Sequence, residues 1–526
     1  MSNRRKNPAF KAFFSIIMIA LMISCKPKTV SDLTEVPVIP KPVSVSGTGD
    51  WFVLGEKTVI SYPEGNEEVH RIARYLGERL KPATGYTLEL EPTQAAKNVS
   101  IYLELLSDGS TGDEGYNLDI TPELLRLSAS SPAGLFRAVQ TVMQLFPASI
   151  EEKTMQEGPW QVPTGTISDR PDYAYRGMML DVARHFFTVD EVKKLIDQIS
   201  NYKINFLHLH LSDDQGWRIE IKSWPKLTEV GGKTEVGGGE GGFYTQEQYT
   251  ELVNYAAERY ITIVPEIDMP GHTNAALASY PELNCNGKAT EIYTGTKVGF
   301  SSFCTNKEIT YKFIDDVVRE ISAITPGPYF HMGGDESHST KKEDYIPFVN
   351  RVQEIIASHG KQVIGWDDIA IATLKPNTIA QHWANVKNAN MAVAQGAKIL
   401  MSPAIKAYMD MQYDSTSKFG LHWASYIEVD SAYIWDPASF TPGIEKQNIV
   451  GIEAPLWAET ISNSDELEYL VFPRLPGYAE IGWTAPSQRN WDEYKNRLSA
   501  HAKRFRQWGI DFYESKKVDW NQAEAK

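Results

Sequence analysis

Three rhythms of apolar and polar positions succeed one another along this chain. The first is a single apolar run of about 11 residues, Phe13 to Ile23, behind the basic residues Arg4, Arg5, Lys6 and Lys11. That is the length of a signal-peptide core and too short to span a bilayer. Residues 26–36 then read as a polar tether. The second rhythm, over 37–168, mixes alternating runs at Thr58–Tyr62, Thr87–Leu90, Val99–Leu103 and Leu125–Ala129 with helix-period runs at Glu67–Leu80 and Gly134–Leu145. It predicts one small α/β domain without a cluster of acids, His or Cys.

The third rhythm fills 169–515, with 516–526 as a tail. Short β-rich runs occur at Arg176–Val182, Asn205–Leu211, Ile261–Glu266, Tyr329–Met332, Lys361–Gly365, Thr378–His382, Lys398–Met401 and Ile449–Ala454. Amphipathic helical stretches such as Val189–Ile199 and Tyr249–Arg259 separate them. Eight βα units over about 300 residues predict a (β/α)8 TIM barrel. Asp181, Arg184, Asp213, Asp214, Glu266, Asp268, His272, Asp335, Glu336, Trp366, Asp367, Trp383, Trp457 and Glu459 all fall at or just after the C-terminal end of a predicted strand. In a TIM barrel those ends share one mouth, where active sites sit.

Charge narrows the partners. The formal net charge is −15, and a nucleic-acid footprint needs clustered Lys and Arg, so nucleic acid is excluded as a partner. The 13 Trp and 25 Tyr suit a ligand with apolar C–H faces and polar rims, such as a sugar. Ser24-Cys25, closing Leu21-Met22-Ile23-Ser24-Cys25, resembles the cleavage box of bacterial lipoproteins. That resemblance implies export to the periplasm or outer membrane, with lipid on Cys25 as the only membrane contact. Cys285 and Cys304 then remain as an even pair, open to bridging or to staying as free thiols.

The strongest local feature is His331-Met332-Gly333-Gly334-Asp335-Glu336. Two glycines let the backbone turn sharply after a strand, so that two adjacent carboxylates can face one pocket. Differing environments would then separate their pKa values. Three more strand ends carry chemistry: Arg176 to His185 with Asp181 and Arg184, His208 to Arg218 with Asp213 and Asp214, and Val264 to His272 with Glu266 and Asp268. Taken in order, these four motifs resemble the catalytic domain of glycoside hydrolase family 20. The resemblance runs from about Pro37 to Ile510 and includes Ala133 to Thr141, similar to the last helix of that family's small domain.

The resemblance implies a retaining β-N-acetylhexosaminidase that uses the substrate's own acetamide as nucleophile, without cofactor or metal. It implies Glu336 as general acid, then base, and Asp335 as the acceptor that orients the acetamide N–H. Tyr408 would donate to the acetamide oxygen, with Tyr413 as the other candidate. Trp366, Trp383 and Trp457 would wall the pocket. Arg184, Asp410 and Glu459 would take sugar hydroxyls, and Asp213 with His272 would form a relay behind Glu336, Asp214 being the alternative partner. The implied substrate is an oligosaccharide or glycoconjugate ending in N-acetylglucosamine or N-acetylgalactosamine; the oligomeric state stays open. The rival readings are a non-catalytic sugar-binding lipoprotein and a disaccharide-releasing relative. His208-x-His210 and His331 read as core histidines, Gly237 to Gly242 as a loop at the mouth, and Cys304 as no nucleophile.

Overall fold

Two sheets form, each from one of the two later rhythms. The computed structural model describes residues 32–93, 95 and 100–521; the signal run and Cys25 lie outside the described residues. The first sheet has seven strands: β1 (Ser44–Leu54), β2 (Val59–Tyr62), β3 (Glu89–Pro92), β4 (Ser100–Leu105), β5 (Tyr116–Ile120), β6 (Leu124–Ala129) and β7 (Trp160–Asp169). Their order is β1-β7-β5-β6-β4-β2-β3. Helices Glu67–Thr84 and Pro132–Leu145 pack on it. Each starts at a side-chain cap, Asn66 accepting from the Val69 N–H and Ser131 from the Gly134 N–H, where an orphan donor needs a partner.

β1, β5 and β7 escape the apolar pattern. β1 reads SVSGTGDWFVL and its pairing with β7 shifts register between Gly47 and Trp51. β7 contains Pro163 and Gly165. Edge position and a bulge tolerate such residues, which a sequence reading takes for turns.

The second sheet is the expected barrel. β8 (Tyr175–Asp181), β9 (Phe206–His210), β10 (Thr262–Glu266), β11 (Tyr329–His331), β12 (Gln362–Trp366), β13 (Ile379–His382), β14 (Lys398–Met401) and β15 (Ile449–Leu456) close in sequence order, with β15 parallel to β8. Cys285 and Cys304 are joined as a disulfide, clasping the long loop after β10.

Two boundaries move. Residues 33–36 are not tether: Leu33 is buried and Asp32 caps the short helix Leu33–Glu35. Residues 516–521 are not a loose tail: Val518 and Trp520 are buried, and the Trp520 ring lies 5.2 Å from Phe512. The described ends meet along the last helix, Trp491–Trp508. His501 Nε2 is 2.8 Å from the Pro37 carbonyl, Arg497 donates to the Val38 carbonyl, and Lys41 N donates to Glu480.

Charge joins the two domains. Glu114, before β5, takes Arg137 Nε at 3.0 Å, Arg176 NH2 at 2.7 Å and Asn205 Nδ2 at 3.1 Å. Both arginine side chains are fully buried. Burial works against the carboxylate, yet the two guanidiniums hold it below its ordinary pKa. Glu114→Ala would leave both cations in the interior with their shared anion gone. Chemical denaturation of that variant should show a loss of about 3–5 kcal/mol, the cost of breaking a buried ion pair by removing one partner.

Candidate active site

Beyond β11 the chain turns through Gly333 at φ +66° and Gly334 at φ +106°. A Cβ on Gly333 would sit 1.8 Å from Asp268 Oδ1, so only glycine fits this close approach. Asp268 Oδ1 accepts the Gly334 N–H at 3.0 Å, and Tyr345 OH donates to the Gly334 carbonyl at 2.6 Å. The turn delivers Asp335 and Glu336 to the same side. Glu336 and His272, on the β10 loop, both stand in the left-handed region, at φ +43° and +55°. Such conformations cost energy for residues with a Cβ and concentrate at functional sites.

His272 meets the acid pair. Its Nε2 is 3.6 Å from Glu336 Oε2 and 3.8 Å from Asp335 Oδ2. Its Nδ1 is 3.2 Å from Asp213 Oδ1. Asp214, the other candidate partner, is occupied elsewhere: it accepts the Asn274 N–H at 3.0 Å and the Ser301 hydroxyl. Asp213 is further held by Arg184 NH2 at 2.8 Å and His210 Nε2 at 2.9 Å.

The aromatic residues gather across the mouth from the acids. Trp366 and Trp457 have ring centroids 5.6 Å apart, and Tyr408 lies 6.2 Å from Trp457. The Trp383 indole donates to Asp368 at 3.0 Å, which fixes its tilt. Trp423, which the motifs do not single out, sits 6.0 Å from Tyr408 and 6.4 Å from Trp383 and is 58% exposed. Tyr413 is not in this group. Its hydroxyl serves the carbonyls of Tyr469, Leu470 and Phe472, and its ring stacks on Tyr513.

Arg184 has its guanidinium 5.0 Å from the Trp457 ring and donates to Asp181 at 3.0 Å and Gln215 at 3.2 Å. A good part of its fork therefore orders the protein itself. Asp410 and Glu459 present the opposite situation. Both Asp410 carboxylate oxygens and Glu459 Oε2 are buried without a hydrogen-bond partner, as is Asp335 Oδ1. Buried acceptors without donors cost free energy, so four orphan oxygens around one mouth mark where a ligand rich in O–H and N–H groups belongs.

Electrostatics separates the acids. Burial, reinforced by Asp268, pushes Asp335 well above the carboxylate range. Burial acts on Glu336 too, but the His272 N–H beside it outweighs burial and holds it below its ordinary value. Asp268, buried in the barrel, is raised to about 7.

Histidine–carboxylate groupings of metal-binding density do exist: His208, Glu266 and His331 form one, and His272, Asp335 and Glu336 another. In the first, imidazole nitrogens face carboxylate oxygens directly, which accounts for the closeness. The Gly237 to Gly242 loop is a surface element at the mouth, its Gly237 N–H bound to the Thr294 carbonyl. Glu266, at the strand end Val264-Pro265-Glu266, lies within 3.0 Å of three imidazoles and an indole. Its place in that motif was the only sequence signal for it.

Residues 173–486 match the description "Glycosyl hydrolase family 20, catalytic domain" and residues 35–170 match "Glycosyl hydrolase family 20, domain 2". A Beta-N-acetylhexosaminidase of Cellulomonas fimi is 40% identical over 492 residues, spanning 93% of this chain and 98% of its own. The GH20 beta-N-acetylhexosaminidase of Streptomyces coelicolor A3(2) superposes with a TM-score of 0.89 at 48% identity, over 92% of this chain and 99% of that one. A mutant Streptomyces plicatus beta-hexosaminidase in complex with product (GlcNAc) gives 0.89 at 50% identity, over 92% and 98%. With motif order, barrel and small domain all in agreement, the chain belongs to glycosyl hydrolase family 20.

Proposed function

We propose that this protein is a retaining exo-β-N-acetylhexosaminidase, removing terminal N-acetylglucosamine and N-acetylgalactosamine from β-linked glycans through an oxazolinium intermediate. The observation that carries this reading is the grouping of the orphan Asp335 Oδ1 with Glu336 beside a box of Trp366, Trp457 and Tyr408. It supports an acceptor for the acetamide N–H, an acid at the glycosidic oxygen and a desolvated wall for the acetyl group. Family 20 stands among the substrate-assisted exceptions to the two-carboxylate scheme. The acetamide oxygen reaches C1 within the same molecule and gains from proximity. Tyr408 polarises that carbonyl, Asp335 stabilises the cation that forms, and Asp410 and Glu459 accept sugar hydroxyls. The full acid–base set favours turnover over a purely sugar-binding role.

Burial raises Asp335 while His272 lowers Glu336, opposite to the arrangement needed for chemistry. An acetamide N–H needs an ionised acceptor, so bound substrate favours the proton on Glu336 instead. His272 Nε2 faces both carboxylates and is a path between them. The pair should be treated as one coupled unit carrying one proton.

Substrates with acetyl, monofluoro-, difluoro- and trifluoroacetyl groups test the nucleophile. Fluorine withdraws electrons from the attacking oxygen and scarcely changes size. At saturating substrate the turnover should fall with each fluorine, by orders of magnitude over the series. A flat series with a labelled enzyme carboxylate would move the protein to the two-carboxylate mechanism.

The kcat/KM profile against pH should be a bell. On the acid side, below the ordinary glutamate range, Glu336 takes up the pair's second proton, leaving no ionised partner for the acetamide, and activity falls. The alkaline limb belongs to loss of the pair's last proton and should lie well above the ordinary carboxylate range, because Asp335 is raised. An alkaline limb inside that range contradicts the shared proton.

We further propose that the chain is exported and anchored by lipid on Cys25, in the outer membrane or periplasm. The run ending at Ser24-Cys25 supports this. Cys25→Ser should move the enzyme from the membrane to the soluble fraction or block its processing. Identical soluble fractionation of both forms would refute the anchor.

A further inference from the structure

The interior of the barrel below the pocket is charged, and one carboxylate organises it. Glu266 ends β10 with no exposure at all. Its Oε2 lies 2.5 Å from His210 Nδ1 and 3.0 Å from His208 Nε2. Its Oε1 accepts the Trp366 indole N–H at 2.9 Å and lies 3.0 Å from His331 Nδ1. Three imidazoles and an indole from three strands thus converge on one side chain, with His210 and Trp366 hydrogen-bonded to it. Burial opposes the ionised form, yet the surrounding imidazoles bring Glu266 well below its ordinary value.

Two of those contacts lead to the chemistry by separate routes. His210 has its Nδ1 against Glu266 and its Nε2 against Asp213, 2.9 Å away. Carboxylates only accept, so both ring nitrogens donate and the ring is an imidazolium. Burial resists that charge, but Glu266 and Asp213 carry the ring well above its ordinary pKa. The next links are Asp213 to His272 at 3.2 Å and His272 to Glu336 at 3.6 Å. The second route is direct: the indole N–H of Trp366, a wall of the pocket, has Glu266 as its acceptor.

We propose that Glu266 is a positioning residue serving two parts of the site at once, aligning the acid through His210, Asp213 and His272 and setting the acetamide wall through Trp366. The proposal rests on the roles given above to Glu336 and Trp366. Neither Glu266 nor His210 touches substrate. Glu266 instead ties the orientation of the proton donor to the orientation of the box. His208 completes the anchorage from below, bridging Glu266 to Glu453, which also takes Gln381 Nε2 at 2.7 Å and Tyr175 OH at 2.6 Å.

Variants separate the two routes. His210→Gln interrupts the acid route and leaves the Glu266–Trp366 hydrogen bond in place, although the ring it removes also packs 5.0 Å from Trp457. Its kcat/KM on a β-linked disaccharide of N-acetylglucosamine should fall roughly 10- to 100-fold, part of the full value of general acid catalysis. On a dinitrophenyl N-acetylglucosaminide, whose leaving group needs no proton, the fall should be several-fold smaller. Binding of free N-acetylglucosamine, measured by titration calorimetry, should stay within about twofold. Glu266→Gln interrupts both routes, so the same leaving-group split should appear with N-acetylglucosamine binding weakened by about tenfold, 1.4 kcal/mol. Glu266→Asp should restore part of each. Tyr175→Phe, which removes only the hydroxyl bound to Glu453 and touches neither Trp366 nor the acid route, is the control and should produce no split.

Equal losses on both substrates in His210→Gln, or a split of the same size in Tyr175→Phe, would overturn the acid route. Unchanged sugar binding in folded Glu266→Gln would overturn the wall route. If Glu266→Gln does not fold, Glu266→Asp decides the wall route by the same titration, since a shorter carboxylate must still loosen Trp366. If wild type itself turns over neither substrate, the functional reading fails rather than this one.

Discussion

A polar pocket at the end of a TIM barrel forces charge into the barrel's own core, and charge in a low-dielectric interior survives only when paired. The interior here obeys that constraint by alternation. Carboxylates of Glu453, Glu266 and Asp213 are interleaved with the imidazoles of His208 and His210, each ring between two acids. The usual barrel filling is bulky branched side chains in layers. Replacing part of it by hydrogen-bonded ion pairs fixes directions as well as distances, because a ring nitrogen and a carboxylate oxygen must point at each other. The aromatic wall and the acid are therefore built on one rigid polar core. Their own loops only finish the placement.

The loops add conformations that ordinary residues avoid. Glu336 and His272 both have positive φ; the turn before Glu336 is crowded by Asp268, and Gly271 before His272 lies against Ser337 and the Asp335 carbonyl. The orphan oxygens at Asp335, Asp410 and Glu459 are a second stored cost. Strain and unmet hydrogen bonds are tolerated because the frame below is over-determined, and a sugar relieves the second of them on binding.

Much of this was legible in the sequence, for physical reasons. Eight apolar runs at βα spacing imply a barrel because buried parallel strands need them, and chemical residues at their ends imply a mouth. The Gly333-Gly334 pair announces a turn that only glycine can make. Tyr408 stood apart from Tyr413 by motif alone; the packing of Tyr413 against backbone carbonyls has no local signature. Asp213 and Asp214 are neighbours, and which one meets His272 depends on where Ser301 and Asn274 lie in space. Glu266 looks like any strand-end acid until the partners from β9, β11 and β12 are seen around it. Strands carrying glycine and proline, the edge strand β1 and its neighbour β7, escaped for the same reason: pairing, not composition, makes them strands.

The seam between the two described ends has a consequence in time. His501 and the Pro37 carbonyl are 464 positions apart in the chain, and Arg497 and Val38 are 459 apart. A ribosome releases these partners at opposite ends of synthesis, at roughly 5–20 residues per second. The small domain can assemble early and holds Ile39 through Gln144, but the Pro37 and Val38 carbonyls and the Lys41 N–H have no partner until the late helices emerge. For tens of seconds those three groups wait unpaired. The last turns of the chain act as a latch, so that loss of even a short C-terminal piece would be felt at the beginning of the fold rather than at its end.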